Sequence, residues 1–210
     1  MTKLKSHLWV TVAVVLLAFT AGIGSAVTVY AQEPDKVLEI ERYPDEPLQL
    51  VNLRIGTQSV KEHIKQKFKD PRSKWGIDSV KFEENDDWVK RVSITLRNTS
   101  DKPVYGVNGY LFFKPLGFPM SFSVALTSSK ALYQTPLQPG EEIELTVTPE
   151  MLNQTLENVK NHGAEVSSAV VSFSLDKVSF SKDLQWYRGK LVHPDSAVPG
   201  KWVPVAQRDY

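Results

Sequence analysis

The chain of 210 residues contains no cysteine, and that absence removes several chemistries at once. Disulfides, thiolate metal sites, thiol nucleophiles and sulfur-linked lipids all require it. An excess charge of one sign is missing too: 25 Lys+Arg stand against 24 Asp+Glu, a formal net charge of +1. The chain therefore lacks the sequence-independent attraction to phosphate that dominates nucleic-acid binding. Catalytic motifs are equally sparse. No Gly-x-Ser-x-Gly elbow, glycine-rich phosphate loop or His-Glu-x-x-His pair occurs, so no catalytic residue is assigned. The histidines His7, His63, His162 and His193 match no metal-ligand spacing. Glu83-Glu84-Asn85-Asp86-Asp87 lacks the alternating ligands and glycine of a calcium loop and reads as a solvated turn between strands. The expectation is a protein that is not an enzyme and takes neither metal nor cofactor.

What is present begins with a leader. Lys3 and Lys5 precede an uncharged run from Leu8 to Ala31, after which Gln32, Glu33, Pro34 and Asp35 restore polarity. As a helix this run extends about 36 Å, enough to cross a hydrocarbon core of about 30 Å. Its most apolar part, Leu8 to Ala21, is short, and Gly22 and Gly24 loosen it ahead of two small-residue cleavage patterns, Gly24-Ser25-Ala26 and Val29-Tyr30-Ala31. Residues 1–31 thus read as a signal peptide or an uncleaved membrane anchor, with membrane contact through residues 8–31 in the second case. Either way, the positive residues before the run hold the amino terminus in the cytoplasm and send residue 32 onward across the membrane. The expected location is the periplasm or cell surface, with anchoring in the inner membrane if the leader stays.

The remainder, with 41% hydrophobic and 10% aromatic residues overall, has the balance of a folded chain and reads mainly as strands. Val92, Ile94 and Leu96 alternate with Arg91, Ser93, Thr95 and Arg97, the pattern of a half-buried strand. Asn98 to Pro103 is a turn cluster. Val104 to Phe113 has apolar residues in both parities, as a central strand does. Phe122-Val124-Leu126 and Ile143-Leu145-Val147 give two more one-sided strands, separated by Pro136 and Pro139-Gly140. Val171, Phe173 and Leu175 keep one parity, whereas Val178 and Phe180 take the other, which predicts a bulge near Asp176-Lys177 in a long, bent strand. One helix is predicted from Thr148 as cap and Pro149 at the first position, with Leu152, Leu156 and Val159 on one face, ending at His162-Gly163. A second is predicted from Ser59, where Ser59 and Glu62 form a capping-box pattern and Val60, Ile64 and Phe68 repeat before Pro71.

Short strands, turn signals between them and no βαβ alternation predict a mainly β protein: an immunoglobulin-like antiparallel β-sandwich with one or two short helices, preceded by the N-terminal hydrophobic helix. The antibody-type disulfide and its packing tryptophan are missing, so the core is expected to rest on apolar burial. Residues 32–47 read as a charged, proline-containing connector, 48–78 as a strand plus amphipathic helix, 79–182 as the sandwich, and 183–210 as an irregular aromatic extension.

Two surface features are candidate contacts. Trp186, Tyr187, Arg188 and Trp202 combine aromatics with cations in the C-terminal stretch, a composition that lines sugar or peptide grooves or closes the end of a core. Lys61, Lys65 and Lys69 lie on the predicted amphipathic helix and would face an anionic surface, or simply water. Asn98-Thr99-Ser100 and Asn153-Gln154-Thr155 match glycosylation acceptors.

The string Leu96-Arg97-Asn98-Thr99-Ser100-Asp101-Lys102-Pro103-Val104, then Pro139-Gly140-Glu141, Val178-Ser179-Phe180, Trp186 with Gly189, and Pro199-Gly200-Lys201-Trp202-Val203-Pro204 resembles an uncharacterised family of exported bacterial proteins. The resemblance covers roughly Val80 to Val205. It implies an exported β-sandwich and no particular chemistry, because its motifs are structural punctuation. This chain has Asp183-Leu184 where such proteins often show Asp-Gly. The resulting expectation is a noncatalytic envelope module acting by protein or glycan contact. The alternatives are an envelope hydrolase with a site assembled from scattered loop residues, and a structural subunit of an envelope complex.

Overall fold

Two-residue alternation of apolar side chains organises most of the chain. The computed structural model describes residues 36–60, 65–67, 76–82, 84–116 and 121–205. The strands begin with β1 (Lys36–Arg42), β2 (Leu48–Ile55), β3 (Gln58–Ser59), β4 (Lys65–Lys67) and β5 (Gly76–Phe82). A short 3₁₀ segment, Asp86–Arg91, leads into β6 (Val92–Asn98), β7 (Gly106–Leu116), β8 (Phe122–Ser128) and β9 (Glu142–Val147). Helix α1 (Pro149–Asn161) then precedes the long β10 (Glu165–Ser179), and β11 (Gln185–Tyr187), β12 (Lys190–Pro194) and β13 (Trp202–Pro204) complete the described chain.

The architecture is mainly β, with one α-helix among the described residues and a sheet that does not close. From β3 the order runs β2, β6, β9, β8, β7 and β10, every neighbour antiparallel. The free edge of β10 is then shared. Its Val170–Phe173 stretch pairs in parallel with β1, which carries β5 and β4 outward, and its Lys177–Ser179 stretch pairs with β11. One cluster of buried residues, including Leu38, Leu53, Val80, Ile94, Leu111 and Leu145, joins strands from both ends of the sheet.

Several sequence expectations appear in detail. β7 is central, between β8 and β10, with Leu111 and Phe113 in the core and Tyr110 and Phe112 half-buried on the opposite face. Asp176 is an extra residue in β10, since Leu175 pairs with Gly109 and Lys177 with Asn108. That bulge returns Val178 to the core side. α1 starts after Thr148 with Pro149 in its first turn and buries Leu152 and Val159. The Thr148 hydroxyl, however, lies 3.0 Å from that of Thr127 and makes no side-chain cap.

Four expectations need correction. Residues 36–42 are a core strand rather than part of a spacer, because Leu38 and Ile40 alternate inward between β10 and β5. The buried core accordingly takes in Leu38, Ile40, Leu48 and Leu53, all ahead of residue 79. Lys65–Lys67 pairs with Ser79–Ile77 of β5 where a helix was expected, since the exposed ladder of β5 supplies backbone partners that override a local helical pattern. Ser59, in β3, likewise pairs with Arg54 of β2, and its hydroxyl bonds Asn52 instead of capping. Residues 185–204 are a three-stranded meander, not an irregular extension. A tryptophan does pack in the core: Trp88 is fully buried from the 3₁₀ segment, edge-on to Phe82 at 4.8 Å, with Nε1 donating to the Ser168 carbonyl at 2.9 Å.

Among the described residues no helix is long and apolar enough to cross a membrane. The leader, residues 1–31, lies outside them.

Candidate functional site

Two tight turns face each other across the end of β10. The first, Tyr43-Pro44-Asp45-Glu46, joins β1 to β2. Its Glu46 carboxylate accepts the Tyr43 N–H at 2.6 Å and pairs with Arg42 at 3.1 Å, while Asp45 sits at φ 52, a conformation aspartate tolerates better than most residues. The second, Arg188-Gly189, joins β11 to β12, and positive φ at both positions (42 and 85) makes it a two-residue hairpin of the type that matches strand twist. Arginine is an unusual first residue there. Its side chain explains it: Nε donates to the Asp176 carboxylate at 2.6 Å, and its backbone N–H to the Asp176 carbonyl at 3.2 Å, so the bulge of β10 holds the hairpin.

The two turns are clamped together. The Trp186 indole N–H reaches the Pro44 carbonyl at 3.4 Å, and its ring meets Tyr43 edge-on at 6.1 Å. Gly189 lies so close that a Cβ there would stand 2.8 Å from Pro44 Cδ. A third turn abuts the first. Asn98, buried, donates from Nδ2 to the carbonyls of Lys102 and Leu137 and accepts from the backbone and hydroxyl of Ser100. Thr99 then donates to the Pro47 carbonyl from both N–H and hydroxyl.

Between these turns lies a groove of about 760 Å³. Phe180, Trp186 and Leu191 form its apolar floor, Asp45, Glu46 and Pro47 one lip, Thr99 to Lys102 another, and Lys190, Pro204 and Val205 the third. Its charged groups differ in their engagement. Glu46 is held by Arg42, and Asp101 pairs with Lys102 at 3.1 Å. Burial pushes the Glu46 carboxyl up to about 7, against the opposing pull of Arg42 and the Tyr43 N–H and with help from the charge of Asp78. Asp78, on β5, is also raised by burial, with Arg42 working the other way.

The predicted contact residues do not converge. Trp186 is 2% exposed and lines the groove floor. Tyr187 and Arg188 stand outside it, Tyr187 45% exposed on the opposite face of β11 with the Arg188 guanidinium 5.8 Å from its ring centroid. Trp202 on β13, 37% exposed, pairs with Pro194 of β12 and is not part of the lining. Of the lysines, Lys65 belongs to β4, while Lys61 and Lys69 lie outside the described residues. The acceptor Asn98 is consumed by the turn it builds, and Asn153 is exposed on α1. Sequence reasoning missed Glu46, Asp101 and Lys190. Only the turn signal Pro44-Asp45-Glu46-Pro47 was available to find the first lip.

A second polar cluster lies on the outer face of β2, β6 and β9. Arg54 and Ser93 both bond the Glu144 carboxylate, which they hold below the usual carboxylate range, Ser93 most strongly. Arg97 and Glu142 pair beside them at 2.6 Å. These are cross-strand fasteners on an open surface. Among the described residues no group of three or more His, Cys, Asp or Glu is placed to hold a metal ion. Comparison with family models, with curated proteins and with solved structures found no match in any of the three.

Proposed function

We propose that the chain is an exported envelope module, tethered or released according to the fate of its leader, that works by contact with another envelope component. Its core is read as an immunoglobulin-like sandwich, supported by the antiparallel order of β2, β6, β9, β8, β7 and β10 around one buried cluster. The observation that carries the contact reading is the groove: an apolar floor, a polar rim and about 760 Å³ suit a short segment of a partner. Of the two partner classes, protein and glycan, its chemistry favours protein. Sugar recognition uses an exposed aromatic face, and Trp186 is buried edge-on against Tyr43. Leu191, Pro204 and Val205 instead offer aliphatic surface to a peptide side chain.

A hydrolase remains the second reading because Asp45, Glu46 and Asp101 line one groove and Glu46 keeps its proton to near neutrality, as a general acid does. Against it, both Glu46 oxygens are engaged, one by the Tyr43 N–H and the other by Arg42.

Photo-crosslinking amino acids placed at Lys190 and Asp101, with Asn153 on α1 as control, test the contact reading in cells. Adducts confined to the groove positions support it; none, or equal labelling at Asn153, overturns it. Glu46→Gln addresses the second reading, since loss of a measurable ester, amide or glycoside cleavage would favour the enzyme. A phosphatase reporter fused at Tyr210, active only outside the cytoplasm, tests export.

A further inference from the structure

The charged residues that line the groove fall into two groups. Glu46 is held by Arg42 and Asp101 by Lys102, so each of these carboxylates already has its cation. Asp45 and Lys190 are exposed, and among the described residues neither side chain has an ion-pair or hydrogen-bond partner. Their places in the fold are linked. Asp45 follows directly on Pro44 and Lys190 on Gly189, the two residues that stand so close that a Cβ on the glycine would lie 2.8 Å from Pro44 Cδ. The clamp between the turns thus sets one anion on the first lip and one cation on the third, with Phe180, Trp186 and Leu191 as the apolar floor beside them.

We propose that the groove takes an extended segment of a partner protein in which one apolar side chain lies between a basic and an acidic residue, the base meeting Asp45 and the acid meeting Lys190. Alternate side chains of an extended segment face the same way, so its first, third and fifth positions address the two lips and the floor together. A segment with two bases sets a cation against Lys190, and one with two acids sets an anion against Asp45; like charges disfavour both. Exposed ion pairs are weak in water, so the lips select the segment rather than hold it. Most of the affinity comes from the apolar side chain, which meets Leu191 and Val205 where they remain half-buried. This assignment rests on the contact reading and deepens it, since it names the chemistry of the partner at that same groove.

The full-length chain in a neutral detergent is titrated at low salt with three capped pentapeptides, Lys-Ser-Leu-Ser-Glu, Lys-Ser-Leu-Ser-Lys and Glu-Ser-Leu-Ser-Glu, and followed by nuclear magnetic resonance. The signal is the indole N–H of Trp186, on the groove floor, with that of Trp88, deep in the core, as internal control. The mixed peptide is expected to shift Trp186 and to bind about threefold more tightly than either of the others, a margin that shrinks at high salt. Alanine in place of its leucine should weaken binding about tenfold. Lys190→Glu should turn the preference to the doubly basic peptide. Asp45→Asn, chosen because asparagine tolerates the positive φ of that position, should remove the advantage of the mixed peptide over the doubly acidic one. The assignment is overturned if no peptide moves Trp186, if all three bind the wild type alike, if either variant keeps the wild-type preference, or if Trp88 moves with Trp186, which would mark a global change. Failure here is distinct from failure of the contact reading, which is decided by cross-linking at Lys190 and Asp101 in cells, whatever charges the partner carries.

Discussion

The β6–β9 region and the groove corner are stabilised in opposite ways. In the first, Ile94, Leu96, Val124, Leu126, Ile143 and Leu145 all point into one buried cluster, and no single contact decides the geometry. In the second, position depends on a few directional contacts: Glu46 to Tyr43, Arg188 to Asp176, Trp186 to Pro44, with Asp45 and Arg188 both at positive φ. Apolar burial is non-directional and indifferent to protonation, so the core of the first region yields mainly to loss of volume, not to pH. Polar contacts out of water are directional and titratable, so the second region responds to chemistry.

Breaking the first region should produce the largest effect. Leu145→Ala removes a fully buried side chain that packs where Gly109 lets β7 approach, and urea denaturation should show a loss of about 3 to 4 kcal/mol. A loss under about 1 kcal/mol would mean that this core is loosely packed and that the contrast drawn above is wrong. Asn98→Ala strikes the junction, leaving the Leu137 and Lys102 carbonyls without their side-chain donor, and about 2 to 3 kcal/mol is expected by the same measurement.

The pH response sharpens the contrast further. A carboxyl raised in the folded state to about 7 binds more protons folded than unfolded between its ordinary value of 4.5 and about 7. Stability from this group must then fall as pH rises through that interval and level off above it, by about 3 kcal/mol in all. Thermal melts should show the decline in the wild type and a flatter profile in Glu46→Gln; parallel profiles would exclude Glu46 as the source. The smallest effect separates strain from contact. Gly189→Ala and Gly200→Ala both place a side chain at positive φ, yet only the first meets Pro44, whereas nothing lies near Gly200. The first should be more destabilising by about 1 kcal/mol, and equal losses would show that Pro44 yields without resistance.

Legibility followed the same division. The parity slip between Leu175 and Val178 announced the Asp176 bulge because side chains alternate rigidly across a strand. The Pro149 start of α1 was equally plain. A comparable slip in β2, where Leu48 and Leu50 give way to Leu53 and Ile55 around an unpaired Val51, was present and overlooked. In β1, Leu38 and Ile40 alternated among so many charges that the strand passed for a spacer. Lys65–Lys67 misled for a different reason: helical spacing was real, but β5 offered it a ladder.

By itself the order of residues determined the strand periodicity, the turn positions and helix α1, because these depend on neighbours within a few positions along the chain. Tertiary structure alone decided that the Arg42–Glu46 pair is taken out of water, that Trp186 turns inward while Tyr187 stays outside, and that three distant turns enclose one groove. Desolvation is set by groups far apart in sequence, and no local pattern encodes it.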